Sequence, residues 1–327
     1  MRKKTVILAA VSLIFMLSAQ EVLPGKWQRN ASLSLLTQTN LYRLGGHFAF
    51  GGDALVRFPL TKDGIPDGRR LSQTDFIPDR ALYLPAAVIA KRNLYIVGGF
   101  LQDRKGKKHP LPGIVRYTID GEGNLTDRKI FGKLPEPDIF GNAAIVSGKY
   151  ILSLGGSSRR NCYAAEILPD LELGPWKKLK PLPSNVAAER RCVLLGNKLF
   201  LCGSAGHKLP SIKLYVSELG KDGLPEKWRR STNTPCPVSV LAADGNNRLI
   251  AFDGKENKIF RAELDSEGEL GDWIPVKNVS LPGQSPFLFF AVHRLRNGKW
   301  LVTDMLCDKP RKFMPASVFE IPPEAAP

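Results

Sequence analysis

Histidine is scarce in this sequence, with 4 residues among 327. The four lie far apart along the chain and show no metal-ligand spacing; they are His47, His109, His207 and His293. The chain also contains neither a Gly-x-Ser-x-Gly element nor a phosphate-binding glycine loop. We therefore expect no metal site and no cofactor, and these absences argue against nucleophile-elbow hydrolases and P-loop enzymes.

Long apolar runs are also missing, apart from one at residues 5–17. Arg2, Lys3 and Lys4 precede this run, and Ser18-Ala19 follows it, which is the pattern of a secretory signal. The run is shorter than the roughly 20 residues that a membrane-spanning helix needs. We expect cleavage after Ala19 and an exported, periplasmic or extracellular protein that does not span a membrane. Cleavage would leave +13 of the formal charge of +16.

Glycine and proline, with 30 and 25 residues, are spread along the chain rather than gathered in one linker. This spread is typical of many short strands joined by many turns. A search for an apolar strand that ends in a pair of small residues gives six segments, at a step of about 50 residues. The six segments are residues 47–52, 93–99, 149–156, 198–204, 248–254 and 299–305.

Each of these segments is predicted to be the second strand of a four-stranded blade. Another apolar run and a tight turn precede it, as at residues 86–90, and form the first hairpin. An alternating run follows, as at residues 213–219, and predicts a half-buried third strand. A turn then leads to a leucine and a tryptophan. We expect Trp176, Trp228 and Trp273 to pack between neighbouring blades.

The two ends of the chain complement each other. The sixth repeat stops at Pro322 without a tryptophan element, whereas Leu23-Pro-Gly-Lys-Trp27 reproduces that element before the first repeat. We predict that a strand near residues 23–37 completes the last blade, so that no sheet edge remains at the seam. The prediction is a signal peptide at residues 1–19 and one all-β domain at 20–327, with repeats near residues 41–78, 80–135, 138–183, 186–235, 237–282 and 287–322.

The paired glycines, turns such as Asp222-Gly223 and the later tryptophans resemble Kelch repeats over nearly all of the mature chain. This resemblance implies a six-bladed β-propeller of the exported bacterial type. Some blades depart from the pattern, because Ser204, Asp253, Asp304 and Met305 stand where a glycine is expected.

A propeller fold does not determine function, so the loops must be considered. In such blades, the connections after the second strand and those entering the next blade open on one face around the channel. Cations recur in these connections and would concentrate positive potential at the channel mouth. The candidate ligand-binding residues are Arg80, Arg104, Lys107, His109, Arg159, Arg160, Arg190, Arg191, His207, Lys208, Asp253, Lys255, Asp304 and Arg311.

The arginine pairs in this set suit bidentate binding of a carboxylate, sulfate or phosphate. We therefore predict an anionic small molecule or acidic glycan as the partner. Export argues against nucleic acid as a physiological partner, although a basic surface binds it at low salt. Ordinary solvated surface charge is the alternative for any single residue of the set.

Two other functions stay open at this stage. The chain is similar in size, export and blade count to bacterial sialic acid mutarotases, and that resemblance implies an acid–base group near a sugar anomeric centre. Glu189, with Arg190 or Arg191 on the sugar carboxylate, would take this catalytic role. A protein-interaction scaffold is the third possibility. The sequence does not determine an oligomeric state.

Five cysteines cannot all pair within one chain. A two-residue turn at Gly196-Asn197 would place Cys192 opposite Leu201, so that Cys192 and Cys202 point to opposite faces of their hairpin. We expect buried free thiols for most of them.

Overall fold

The computed structural model describes residues 33–45, 54–67, 69, 71–75, 80–136, 139–156, 159–184, 191–203, 212–245, 247–279, 281, 291–306 and 313–322. Within them, the regular elements are β-strands, which form six small antiparallel sheets. None of the described segments forms a helix long and apolar enough to cross a membrane. The all-β prediction is confirmed.

The first three sheets follow one another along the chain, and each is a meander of consecutive strands. The first contains β1 (Leu33–Leu36), β2 (Asn40–Leu44), β3 (Ala54–Pro59) and β4 (Leu71–Asp75). The second contains β5 (Arg80–Ala90), β6 (Asn93–Asp103), β7 (Lys108–His109), β8 (Ile114–Ile119) and β9 (Leu125–Phe131), with β7 paired only to β6. The third contains β10 (Ala143–Ser147), β11 (Tyr150–Leu154), β12 (Cys162–Glu166) and β13 (Lys177–Lys178).

The other three sheets repeat this meander. The fourth contains β14 (Cys192–Leu195), β15 (Lys198–Cys202), β16 (Leu214–Glu218) and β17 (Arg229–Arg230). The fifth contains β18 (Val240–Asp244), β19 (Arg248–Asp253), β20 (Lys258–Glu263) and β21 (Ile274–Pro275). The sixth, as far as it is described, contains β22 (Ala291–Arg294), β23 (Trp300–Leu306) and β24 (Phe313–Phe319).

The six sheets form a closed ring. The first strand of each sheet lies beside the first strand of the next, and β22 lies beside β1. Apolar side chains fill a core between each pair of neighbouring sheets, including the last and the first. The fold is therefore a six-bladed β-propeller, as predicted.

Three of the tryptophans occupy the predicted positions. Trp176 packs in the core between the second and third blades, Trp228 between the third and fourth, and Trp273 between the fourth and fifth. Trp27 lies outside the described residues.

Glycines in or directly after the second strands of the first and second blades allow the next blade to approach closely. A Cβ on Gly45 would overlap the main-chain carbonyl oxygen of Leu82 in the next blade. A Cβ on Gly98 of the second blade would overlap the side-chain oxygen of Asn142 in the third blade. The paired glycines of the repeat are thus a packing requirement.

The first repeat begins earlier than predicted. β2 is the second strand of the first blade, because it pairs with both β1 and β3. Its sequence, Asn40-Leu-Tyr-Arg-Leu-Gly45-Gly46, parallels Asn93-Leu-Tyr-Ile-Val-Gly98-Gly99. The assignment of residues 47–52 as this strand is therefore wrong, because two glycine pairs follow each other here and the first of them comes directly after β2. Residues 46–53 lie outside the described residues.

The seam between the last and first blades is partly described. Leu33 of β1 lies opposite Leu44, so the end of the 23–37 segment belongs to the first blade. Ser34 Oγ and Thr303 Oγ1, 3.2 Å apart, share a hydrogen bond across the seam. Residues 23–32 lie outside the described residues, so the completion of the last blade by them stays a prediction.

A second set of contacts joins neighbouring blades at the turns between third and fourth strands. Side chains of one blade donate to main-chain carbonyls of the next: Tyr42 to Gly123 (2.7 Å), Tyr95 to Leu171 (2.8 Å), Lys198 to Gly268 (2.7 Å) and Asn297 to Asp63 (2.8 Å). The buried arginines Arg57, Arg116 and Arg261 donate in the same way. Since these donors satisfy carbonyl groups at blade junctions, part of the positive charge has a structural role.

The cysteine prediction is confirmed for one hairpin. Cys192 lies opposite Leu201, and Cys202 lies opposite Leu214 on the next strand. Cys162, Cys192 and Cys236 are free thiols. Burial raises the pKa of Cys162 to about 12 and that of Cys236 also to about 12, so both are protonated at neutral pH. Cys307 lies outside the described residues.

Candidate functional site

The connections between strands fall on two opposite faces, because the strands of each blade alternate in direction. The connections from second to third strands, and those from each blade to the next, lie on one face, which we call the upper face. Its described connections, counted with the turn at the end of β6 and with β7, contain many cations and few carboxylates: Arg104, Lys105, Lys107, Lys108, Lys133, Arg159, Arg160, Lys180, Arg191, Lys213, Lys255 and Lys277 against Asp103, Glu136 and Glu256. In the described connections of the opposite, lower face, carboxylates outnumber cations.

The second blade extends beyond the others on the upper face. β5 and β6 have 11 residues each, whereas the first and second strands described in the other blades have 4 to 7. Residues 80–83 and 100–103 continue the hairpin past a register shift, and β7 adds a third strand with His109 opposite Leu101. We call residues 80–83 and 100–109 the arm.

Asp103 holds the turn of the arm in place. Its Oδ1 accepts the backbone N–H groups of Lys105 and Lys107, both at 2.9 Å, and its Oδ2 lies 3.0 Å from His109 Nε2. The hydrogen bond with His109, followed by that from the Lys107 backbone, lowers the pKa of Asp103. The cations of the turn are thus presented on a hydrogen-bonded hairpin.

Aromatic side chains lie at the base of this hairpin. The Lys108 ammonium is 4.6 Å from the ring centre of Phe100 and 5.2 Å from that of Phe140, within range of a cation–π interaction. Phe100 also packs against Tyr83, with ring centres 5.0 Å apart. Tyr83 and Phe140 are half-buried, so the cluster combines partly accessible apolar rings with a positive charge.

A second cluster lies between the second and third blades. Glu136 accepts hydrogen bonds from Arg159 Nη1 at 2.6 Å, from Tyr163 Oη at 2.5 Å and from the Asn161 amide. Burial acts to raise the pKa of Glu136, but the hydrogen bonds from Tyr163 and Arg159 outweigh it and lower the pKa overall. Burial and the bond to Glu136 raise the pKa of Tyr163 to about 12. At neutral pH the cluster therefore holds a carboxylate and a protonated phenol.

Glu136→Gln is expected to reduce the loss of stability at acid pH. The pKa of Glu136 is lower in the folded than in the unfolded chain, so the ionised group stabilises the fold above its ordinary value of 4.5. This contribution is lost as the pH falls through the folded pKa. Thermal unfolding from neutral pH to about pH 3.5 should show a shallower decline of Tm in the variant. The control is Glu256→Gln, whose described ion pair is with exposed Lys255 at 3.8 Å. Equal slopes in the wild type and Glu136→Gln would contradict the expectation.

Several predicted ligand-binding residues lie close together. Arg104, Lys107 and His109 belong to the arm, and Arg80 begins β5 opposite Asp103. Arg159 lies in the next blade and binds Glu136, which precedes Phe140 on the same connection. The structure thus groups these residues around the junction of the second and third blades.

Arg160 and Arg191 have main-chain partners. Arg160 Nε donates to the carbonyl of Leu182 at 2.6 Å, and Arg191, which is buried, donates from Nε to the carbonyl of Ser239 at 3.3 Å. These bonds tie upper-face connections to one another. In the enzymatic alternative, Arg191 is a predicted partner of Glu189. Glu189 lies outside the described residues.

Asp253 is buried at the end of β19 and caps the following turn. Its Oδ1 accepts the backbone N–H groups of Lys255 at 2.9 Å and Glu256 at 3.1 Å. The Lys255 side chain is exposed. The remaining predicted residues lie outside the described ones: Arg190, His207, Lys208, Arg311 and the side chain of Asp304.

Sequence reasoning missed Asp103, Glu136 and Tyr163. The sequence did contain a signal for Asp103. An aspartate that precedes a glycine-containing turn, here with Gly106, typically accepts backbone N–H groups two and four residues later. Glu136 carried none, because its three donors come from the next blade. No group of three or more His, Cys, Asp or Glu side chains that could hold a metal is found in the described part of the chain.

Comparison with known proteins gives a likeness of fold. No family model matches the sequence, and no curated protein matches it. A solved structure titled "Structure of YjhT" superposes with a TM-score of 0.64 at 13% identity, over 92% of this chain and 97% of that chain. This likeness supports the six-bladed ring, and the Kelch-like character of the repeats stays a prediction from the sequence.

Proposed function

We propose that this protein is an exported propeller that binds an anionic ligand, an acidic carbohydrate, on its upper face. The observation that carries the proposal is the arm, whose turn is held by Asp103 and presents lysines beside half-buried aromatic rings. Lysine ammonium groups bind carboxylate or sulfate, and the rings of Tyr83 and Phe140 offer an apolar surface to the ring of a sugar.

The distribution of charge favours a localised site over a generally basic surface. Lys198, Arg57 and Arg116 bind carbonyl groups between blades, and Arg160 and Arg191 do so among the upper connections. By contrast, Lys105 and Lys107 are exposed at the turn of a hairpin that no other blade has in the described residues. Export favours a glycan over nucleic acid as the anion.

The enzymatic alternative receives no separate support from the described residues, because Glu189 and Arg190 lie outside them. That alternative therefore stays a prediction from the sequence.

The double variant Lys107→Glu/Lys108→Glu should lose binding to acidic oligosaccharides. A hydrogen bond to a charged group contributes about 1.5–3 kcal/mol, so we expect Kd to rise by roughly tenfold or more for each lysine. The probes are an oligomer of galacturonic acid, a sialylated oligosaccharide and a neutral oligosaccharide of similar length, titrated calorimetrically at physiological salt.

The matched control is Lys221→Glu/Lys227→Glu, which makes the same change of charge with two exposed lysines on the lower face. This variant should bind the acidic probes as the wild type does. Equal weakening in both double variants would show that net charge alone attracts the probe, and wild-type binding of the neutral oligosaccharide with equal affinity would also refute the proposal.

A further inference from the structure

The three donors to Glu136 come from one short segment of the third blade. Arg159, Asn161 and Tyr163 alternate along the chain where it enters β12, and alternate residues of an extended segment point to the same side. A guanidinium, an amide and a phenolic hydroxyl thereby meet at one point. This set of donors satisfies both oxygens of a carboxylate.

The carboxylate that they hold comes from a different connection. Glu136 lies between the second and third blades, and its side chain is 20% exposed, whereas Tyr163 is buried. Among the backbone hydrogen bonds between described residues, none involves residues 133–136. In the described part of the chain, residues 133–136 are therefore hydrogen-bonded to the third blade through the side chain of Glu136.

We infer that Arg159, Asn161 and Tyr163 form a binding site for a ligand carboxylate, and that Glu136 occupies this site as an internal competitor. Arg159 was expected to bind an anion, and the anion in the structure is the chain's own. The ligand class, an acidic carbohydrate, rests on the proposed function, whereas the carboxylate site itself does not. Phe140 belongs to the same connection as Glu136 and contacts the arm, so the two sites are neighbours.

The test is chemical rescue of Glu136→Ala in the mature protein. Removal of the carboxylate should lower Tm, and acetate should restore it with saturable dependence on concentration, by an amount on the order of a few degrees. Chloride at equal ionic strength should not. The wild type should not respond to acetate, because Glu136 fills the site.

Arg159 provides the matched control. Glu136→Ala/Arg159→Ala should show no acetate response, because the strongest donor is missing. If Glu136→Ala folds but has the same Tm in acetate and in chloride, Glu136 is only a structural link. The same conclusion holds if acetate raises the Tm of the wild type equally. Should Glu136→Ala fail to fold, Glu136→Ser is titrated instead, since its short side chain also leaves room for acetate beside Arg159; no acetate response there overturns the inference.

The arm allows the two proposals to be separated. Acetate rescue should persist when Lys107→Glu/Lys108→Glu is added to Glu136→Ala. Rescue without wild-type binding of the galacturonic acid oligomer would refute the proposed function alone. Lysine-dependent binding of the oligomer without acetate rescue would refute this inference alone.

Discussion

Gly45→Ala is expected to destabilise the protein by about 2–5 kcal/mol. Gly45 directly follows the second strand of the first blade and has φ of 66°, in the left-handed region that favours glycine. An added Cβ would overlap the carbonyl oxygen of Leu82 and lie 3.2 Å from the Leu82 Cβ. Because the main obstacle is main chain of the next blade, the two blades would have to separate, which would disturb the core between them.

Gly148→Ala separates this packing effect from the backbone effect. Gly148 has φ of 56°, but a Cβ there would meet nothing within 4 Å. Its substitution should therefore cost only the conformational strain, about 1–2 kcal/mol. Chemical unfolding of both variants gives the two free energies. Equal losses would contradict the argument that the glycine pair is required by the approach of the next blade.

This contact explains why the architecture could be predicted from the sequence. A glycine lies in or directly after the second strand where the next blade approaches it closely, as at Gly98 and Gly45, so the pattern recurs along the chain. The tryptophans recur because they pack between neighbouring blades. The first blade shows the limit of that reasoning. Gly45-Gly46 and Gly51-Gly52 both satisfy the pattern, and only strand pairing distinguishes them.

The candidate site was less predictable because its contacts join segments that are distant in sequence. Topology alone places the basic connections on one face, and the sequence could identify that face. It could not show that Arg160 binds the carbonyl of Leu182, or that Arg159 binds Glu136, since neither pair has a fixed spacing. The arm was visible only as a basic loop, because its strands depend on pairing beyond a register shift.

The prediction that residues 23–29 complete the last blade rests on the fourth strands of the other blades. In the third, fourth and fifth blades, the fourth strand consists of the two residues that follow the tryptophan, namely Lys177–Lys178, Arg229–Arg230 and Ile274–Pro275. Gln28 and Arg29 follow Trp27 in the same way. The sixth sheet has three strands in its described part, so the outer edge of β24 is the position that this segment would fill.

The pairing can be specified by register. In the fourth blade, Arg229 lies opposite Val216 and Arg230 opposite Tyr215, and these residues lie opposite Phe200 and Leu201. The corresponding third-strand residues of the sixth blade are Val318, opposite Leu301, and Ser317, opposite Val302. We therefore expect Gln28 to lie opposite Val318 and Arg29 opposite Ser317.

Trp27→Ala in the mature protein should lower the free energy of unfolding by about 3–5 kcal/mol, as for a large aromatic side chain removed from a core. The positive control is Trp228→Ala, since Trp228 is buried between two blades; similar losses would mean that Trp27 packs as its counterpart does. A change of less than about 0.5 kcal/mol, as at an exposed surface position, would show that residues 23–29 do not complete the blade. Deletion of residues 20–32 should have a larger effect and promote aggregation, because it would leave the edge of β24 unpaired and open to other chains.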